Sequence, residues 1–132
     1  MGLKFLLSVV FLLMFSGCED IINSAIECSI KDVKLENKTL RIGTVGRNYY
    51  ETISANVKND PNDDYYSYDF FITRKLQKGL QYYAEGNKLV INGIPEEAGT
   101  IGIELTVEVT LDDEALGLCT ETAKRTYELT VK

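Results

Sequence analysis

Few residues of this chain could carry chemistry. It contains no histidine and no tryptophan, three cysteines, and twenty acids against fourteen bases, for a net charge of −6. Without histidine, Ser-His-Asp and Cys-His nucleophile systems are excluded in their usual forms. No glycine-rich phosphate loop and no His-containing metal motif is present. Paired carboxylates can act as acid and base, but no pair stands out among acids spread along the chain. The composition predicts a protein that is not an enzyme and holds no cofactor.

A short acidic segment, residues 59–64, is the one local sequence that suits a metal ion. Its carboxylates Asp60, Asp63 and Asp64 stand beside two asparagines and a proline, and Ca²⁺ takes six to eight hard oxygen ligands. The spacing is not that of an EF-hand, and Asn, Asp and Pro are also ordinary loop residues. The segment is therefore a weak calcium candidate, and an ordinary surface loop is the favoured interpretation.

The start of the chain has the layout of a secretory signal. Lys4 precedes an apolar run, residues 5–15, and small residues lead to Cys18, after which the chain becomes polar at once. The run is too short to span a membrane as a helix, which needs about 20 apolar residues. We expect this segment to direct export and to be removed.

The residues Phe15-Ser16-Gly17-Cys18 resemble the bacterial lipobox, in which a cysteine follows a small residue and Gly or Ala. The resemblance implies cleavage before Cys18, a signal peptide at 1–17, and lipid on the new N-terminal cysteine. Two or three acyl chains anchor a protein durably, whereas a single chain does so only marginally. The expected location is the cell envelope, on a bacterial membrane. The alternative is an ordinary signal peptide that leaves Cys18 as a free thiol.

Two further cysteines, Cys28 and Cys119, follow the export signal. Disulfides persist in exported proteins, and an even number of cysteines suggests that they pair. Closing a loop of about 90 residues would stabilise the fold by roughly 4–5 kcal/mol in the chain-entropy model. Two buried free thiols are the alternative. A metal site is disfavoured, because the chain has no histidine and no Cys-x-x-Cys pair.

Alternation of apolar and polar residues dominates the chain beyond the signal, and this is the pattern of half-buried strands. The clearest run lies in residues 101–110, and similar runs lie at 53–57, 66–72 and 125–132. A shorter strand at 89–91 follows a predicted hairpin turn at residues 85–87. Further edge strands are expected at 29–35 and 38–43, with a possible turn of helix at 112–117. Short strands separated by turns predict an all-β sandwich of about seven strands, preceded by the cleaved signal peptide.

Three motifs in the second half of the chain resemble a bacterial immunoglobulin-like (Ig-like) family that is similar to cadherin-like domains. They are Leu-Gln-Lys-Gly-Leu at 76–80, Leu-Val-Ile-Asn-Gly-Ile-Pro at 89–95 and Ala-Gly-Thr at 98–100, and Gly46 followed by Tyr49 or Tyr50 adds a fourth. The family usually has Pro at position 77, Thr at 94 and Tyr at 101, where this chain departs from it. The resemblance implies an Ig-like antiparallel β-sandwich over residues 28–132, joined to the lipid by a tether at 18–27.

The resemblance also implies where the disulfide lies. In Ig-like sandwiches the first strand often runs parallel to the last. Cys28 is expected to precede the first strand and Cys119 the last, which places both at one end of the sandwich, close to the tether. The loops at the opposite end would then face away from the membrane.

Seven tyrosines form the second group of candidate functional residues. Alternation buries some and exposes others, and exposed tyrosines are enriched at binding surfaces, although tyrosine is also a common strand residue. They are Tyr49, Tyr50, Tyr65, Tyr66, Tyr68, Tyr82 and Tyr83. The function expected is a membrane-anchored, non-catalytic domain that binds a protein or glycan partner in the envelope. The alternative is an accessory envelope lipoprotein without a dedicated ligand. The cations are not clustered, so a nucleic-acid partner is not expected.

Overall fold

The computed structural model describes residues 32–58, 66–113 and 117–132, without the side chains of 112–119. In this part of the chain all regular structure is β. The strands are β1 (Val33–Leu35), β2 (Tyr49–Val57), β3 (Tyr66–Ile72), β4 (Leu80–Glu85), β5 (Lys88–Gly93), β6 (Gly99–Asp113) and β7 (Gly117–Val131).

The strands form two antiparallel sheets. One has the order β1-β2-β5-β4, and the other has the order β3-β6-β7. This division into four and three strands, with the same connections, is that of an Ig constant-type sandwich. The predicted all-β, Ig-like fold of about seven strands is therefore confirmed.

The long hairpin of β6 and β7 carries the clearest alternation, with β6 at the centre of the second sheet and β7 at its edge. Its register runs without interruption from Gly99 opposite Val131 to Asp113 opposite Gly117. The inward-facing side chains in the middle of β6 and at the C-terminal end of β7 are fully or almost fully buried, and they belong to one core with the inward face of the first sheet. The core contributed by the hairpin comprises Ile103, Leu105, Val107, Val109, Tyr127, Leu129 and Val131. The period of two in the sequence thus predicted the buried face correctly.

The first part of the domain contacts both sheets. β1 pairs antiparallel with the end of β2, and further along Gly43 forms a parallel bridge with Val131 of the other sheet. The predicted strand at 38–43 is wrong, because residues 36–41 follow the edge of β2 mainly through side-chain bonds. Of the parallel course expected for the first and last strands, the described residues show one isolated bridge, at Gly43, which lies outside β1.

Two other expectations fail around the β6–β7 hairpin. The expected turn of helix at 112–117 is contradicted at both ends, since residues 112 and 113 belong to β6 and Gly117 to β7. Cys119 does not precede the last strand but lies within it, opposite Leu111. Residues 117–124 have few apolar side chains, so the alternation that predicts a strand is not evident there.

Two glycines allow the start of β4 to pack closely against the end of β5. Gly79 has φ +91° and Gly93 has φ +135°, and a Cβ at either would meet a main-chain oxygen at about 2 Å. The carbonyl of Gly79 accepts a hydrogen bond from the Ile94 N–H at 3.1 Å. Both positions therefore require glycine.

Candidate functional site

Most residues proposed from the sequence for lipid, disulfide or calcium lie outside the described part of the chain. These are Cys18, Cys28, Asp60, Asp63 and Asp64. Cys119 is placed by its backbone in β7, and its side chain is not described. Lipidation, the disulfide and the weak calcium site therefore stay predictions. Within the described residues, no cluster of three or more carboxylate or thiol side chains is placed to hold a metal ion.

A buried carboxylate, Glu51, binds the connecting segment, residues 36–41, which leads from β1 to the contact of Gly43 with the other sheet. Its side chain is 7% exposed and lies 2.7 Å from the Lys38 Nζ. It also accepts hydrogen bonds from the backbone N–H of Arg41 at 3.0 Å and of Thr52 at 3.1 Å. Burial by itself raises the pKa of Glu51, but the bonds from Lys38, Arg41 and Thr52 outweigh it and hold the pKa below its usual value.

Two buried tyrosines hold the same connecting segment by its main chain. The Tyr127 hydroxyl donates to the Glu36 carbonyl at 2.6 Å, and the Tyr49 hydroxyl donates to the Arg41 carbonyl at 2.9 Å. Burial raises the pKa of each to about 12, assisted by the nearby charges of Glu36 and Glu51 respectively. These polar groups are therefore structural, which agrees with the interpretation that part of the tyrosine set serves the fold.

Glu51 was not among the residues predicted from the sequence to have a special role. It occupies an inward position of β2 between Tyr49 and Ile53, where the alternation calls for an apolar residue. A charge at such a position was the available signal, because buried charges are rare unless they are paired. Its partner Lys38 is thirteen residues earlier, in a segment with no regular pattern.

The exposed tyrosines lie on the outer face of the four-stranded sheet. Tyr50 is paired in register with Asn92 of β5, and Asn92 with Gln81 of β4. One row further along, Thr52, Val90 and Tyr83 stand side by side in the same way. We call this surface the tyrosine face, and define it by Tyr50, Thr52, Gln81, Tyr83, Val90 and Asn92.

The centre of the tyrosine face is Val90. Its neighbours in β5, Leu89 and Ile91, belong to the inner core, so Val90 points outward, yet it has no exposed surface. Tyr83 lies directly opposite and Tyr50 on the diagonal, within reach of aromatic side chains. Tyr50 and Tyr83 remain 51% and 44% exposed. The tyrosines thus present aromatic surface over a filled apolar centre.

Other exposed apolar side chains lie in the loops before β2 and after β5. Ile42 is 59% exposed, Val45 41% and Ile94 50%. Ile42 lines a groove of about 250 Å³ together with Tyr50, and the backbone of the 44–47 turn is joined to Pro95 by the Gly46 N–H at 2.9 Å. Ile42 therefore adds aliphatic surface beside Tyr50 at the edge of the tyrosine face. Concentrations of exposed apolar surface of this kind mark interaction sites.

This surface lies at a definite end of the domain. β1 begins with Val33 beside Val57 at the end of β2, whereas Tyr50 and Asn92 lie at the start of β2 and the end of β5. We call the latter the distal end, because the described chain begins at the other end. The predicted arrangement, in which the loops opposite the tether face outward, makes the distal end the accessible one.

A second groove opens at the distal end between β3 and β4. It has a volume of about 610 Å³ and lies beneath the connection of residues 73–79. Ile72, Leu76 and Leu80 form its apolar lining, and Tyr82 is 42% exposed there. The side-chain amide of Gln77 donates to the Gly99 carbonyl at 2.9 Å, which fixes the connection against β6.

Comparison with solved structures gives a distant likeness. The chain is similar to the GspB Siglec domain with a TM-score of 0.40 and 12% sequence identity. The alignment covers 79% of this chain and 59% of that one, so this chain spans about six-tenths of the length of that structure. No protein-family profile and no curated protein matches the sequence. The class of protein is therefore defined by the described fold, which is an Ig-like β-sandwich.

The described residues also bear on membrane attachment in one respect. In the ranges 32–58, 66–113 and 117–132 the chain forms no helix with the length and apolarity needed to cross a membrane.

Proposed function

We propose that this protein is a lipid-anchored, non-catalytic Ig-like domain that binds a protein or glycan partner of the bacterial envelope through the tyrosine face. The observation that carries the proposal is the pair of half-exposed tyrosines, Tyr50 and Tyr83, over the buried Val90. Tyrosine combines a rigid apolar ring with a polar hydroxyl, and it is among the residues that contribute most to binding energy at interfaces.

The residues around these tyrosines supply directional contacts. Asn92 and Gln81 lie in the row of Tyr50, and Thr52 in the row of Tyr83. Amide and hydroxyl groups hydrogen-bond to peptide groups and to sugar hydroxyls alike. The Asn92 Oδ1 itself is buried and has no hydrogen-bond partner among the described residues. This combination of aromatic surface and amides suits both candidate partner classes.

The anchor is the second part of the proposal. Lipid on Cys18 and a disulfide between Cys28 and Cys119 would hold the non-distal end of the sandwich near the bilayer. β1 and β7 border one groove, in which Val33 and Ala123 both take part. Cys28 and Cys119 precede these two residues by nearly equal lengths of chain. Intact-mass analysis of the purified protein tests both: a diacylglyceryl mass on Cys18 and the absence of free thiols are expected.

The binding proposal is tested by capture from crosslinked envelopes. The wild-type protein, the double variant Tyr50→Ser/Tyr83→Ser and the control Phe71→Ser would be compared, since Phe71 is 54% exposed on β3 of the other sheet. A partner enriched by the wild type and by Phe71→Ser, but not by the double variant, is the expected result. Equal loss in both variants, or no enrichment over a lipidated control protein, would contradict the proposal.

The alternative is an accessory envelope role without a dedicated ligand. It predicts that deletion of the protein weakens the envelope and that the Tyr50→Ser/Tyr83→Ser variant restores it fully. Under the binding proposal the same variant fails to complement any phenotype that the deletion causes.

A further inference from the structure

The last strand, β7, has one unpaired edge. On one side β7 pairs with β6 over its whole length. On the other side the main-chain bonds are confined to its C-terminal end, where Gly43 donates to the Thr130 carbonyl at 2.9 Å and Lys132 donates to the Gly43 carbonyl at 3.0 Å. The residues before Thr130 have no strand partner on this side within the described chain.

The bonds of Thr130 and Lys132 identify which main-chain groups are free. In a strand, the N–H and C=O groups of every second residue point to the same side. Because Thr130 and Lys132 point away from β6, the even-numbered residues before them do so as well. The free donors and acceptors belong to Thr122, Lys124, Thr126 and Glu128, whose side chains are all exposed.

The connecting segment, residues 36–41, follows β2 of the other sheet, and its described bond to β7 comes from the Tyr127 hydroxyl and not from the β7 main chain. The Glu36 N–H donates to the Ser54 carbonyl at 2.8 Å, and the Lys38 Nζ donates to the Thr52 carbonyl at 2.8 Å. Both carbonyls belong to β2. Within the described residues, no main-chain bond therefore reaches the outer edge of β7 at residues 122–128.

A groove of about 490 Å³ opens beside the free edge, between β7 and β1. Val33, Leu35 and Ala123 form its apolar part, and the cations Lys34, Lys124 and Arg125 line the rest. Inward side chains of a strand added to β7 would enter this groove, since alternate residues of a strand point to the same face.

Arg125 gives the groove a chemical preference. It occupies an inward position opposite Leu105, and its Nη1 is buried without a hydrogen-bond partner in the part of the chain that the structure describes. Among these three cations only Lys34 has a carboxylate within 4 Å there, the exposed Asp32 at 3.6 Å. A guanidinium in this state favours a carboxylate, which can accept two parallel hydrogen bonds from it.

From the free edge and the cationic groove together, we infer that β7 binds an extended acidic segment of a partner protein by strand addition. The main chain of that segment pairs with Thr122, Lys124, Thr126 and Glu128. An Asp or Glu side chain on its inward side reaches Arg125. Backbone pairing supplies affinity in this mode, and the pockets for alternate side chains supply specificity. This edge lies apart from the tyrosine face, which belongs to the other sheet, so the inference stands independently of the proposed function.

Amide hydrogen exchange of the full-length protein tests the free edge directly. The amides of Thr122, Lys124, Thr126 and Glu128 should exchange fast, whereas those of Ala123, Arg125 and Tyr127 are protected by pairing with β6. Slow exchange at all seven positions would show that another segment of the chain already pairs with β7, and would overturn the inference.

Binding is tested with two labelled peptides, acetyl-Thr-Glu-Val-Glu-Val-Glu-Thr-amide and its analogue with Lys in place of Glu, by fluorescence polarisation. The acidic peptide should bind at least about tenfold more tightly, and the four free amides should become protected in its presence. Methylation of one alternate set of peptide nitrogens should abolish binding, and methylation of the other set should not. Equal affinity for the two peptides, or no dependence on the methylated set, would contradict strand addition.

A proline variant provides the matched test on the protein. Thr126→Pro removes an N–H that points away from β6, so the β6–β7 pairing is retained, whereas Thr126→Ala keeps the N–H. The acidic peptide should bind Thr126→Ala like the wild type and bind Thr126→Pro at least about tenfold more weakly. Arg125→Met should lose the preference for Glu over Lys peptides. Unchanged binding by Thr126→Pro with a wild-type unfolding midpoint would overturn the inference.

Discussion

Tyr49 and Tyr50 are neighbours in β2, yet they belong to regions with opposite properties. Tyr49 is 6% exposed and joins Glu51 and Tyr127 in holding the connecting segment, whereas Tyr50 is 51% exposed on the tyrosine face. In the first region every polar group named has a partner inside the domain. In the second, the rings of Tyr50 and Tyr83 are about half exposed and face outward. Substitutions in the first region should therefore change stability, and those in the second should change binding.

The largest effect on stability is expected for Glu51→Ala. The substitution leaves Lys38 and the Arg41 N–H without their buried acceptor, and breaking a partly buried ion pair in this way costs roughly 3 kcal/mol. The free energy of unfolding from urea titration measures it. Glu128→Ala, on the exposed face of β7, is the control and should change stability by less than about 0.5 kcal/mol. Equal effects of the two substitutions would show that the connecting segment is not held by Glu51.

Alkaline pH should destabilise the first region through its tyrosines. Their pKa is raised from 10.0 to about 12 in the folded protein, so the neutral form is favoured by folding. This stability is complete below pH 10 and is lost as the pH rises through about 12. Two pKa units correspond to at most about 2.7 kcal/mol per tyrosine. Urea titrations at pH 9 and pH 11 measure the loss, which should be smaller in Tyr127→Phe. An unchanged loss in that variant would exclude Tyr127 as a cause.

Removing one hydroxyl from the buried pair should have a moderate effect. Tyr127→Phe deletes the hydrogen bond to the Glu36 carbonyl and should lower the free energy of unfolding by about 1 kcal/mol at neutral pH. Tyr83→Phe removes a hydroxyl for which the structure gives no partner and serves as the control. Thermal or urea unfolding of the two variants side by side measures the difference. A Tyr83→Phe effect as large as that of Tyr127→Phe would remove the distinction between the two regions.

The smallest effect on stability is expected on the tyrosine face. Tyr50→Ser should change the free energy of unfolding by no more than about 0.5 kcal/mol, because half of its side chain is already exposed. The same urea titration measures it, with Tyr49→Ser as the destabilised counterpart. A cost for Tyr50→Ser comparable to that of Tyr49→Ser would make Tyr50 part of the fold rather than of a binding surface.

The two regions also differ in how far the sequence predicted them. Alternation predicted the buried face of β6 correctly, from Ile103 to Val109, because one side of each strand faces the core. It did not indicate Glu51, whose inward position is explained only by Lys38 and the Arg41 N–H, contacts that depend on the tertiary structure.

The tyrosine face required the strand register. Tyr50, Val90 and Tyr83 are far apart in the sequence, and β4 was not identified as a separate strand. Only the pairing of β2 with β5 and of β5 with β4 brings these residues together. The free edge of β7 is likewise a property of the topology, since it depends on where the parallel contact of Gly43 ends.

The most direct test of the binding account is photo-crosslinking in cells with a photoreactive phenylalanine derivative. It would be placed at position 50 or 83 on the tyrosine face, and at position 71 on β3 as the control, in the full-length protein. The account predicts a discrete crosslinked partner from positions 50 and 83 and none from position 71. A partner crosslinked equally from position 71, or no adduct from positions 50 and 83, would contradict it.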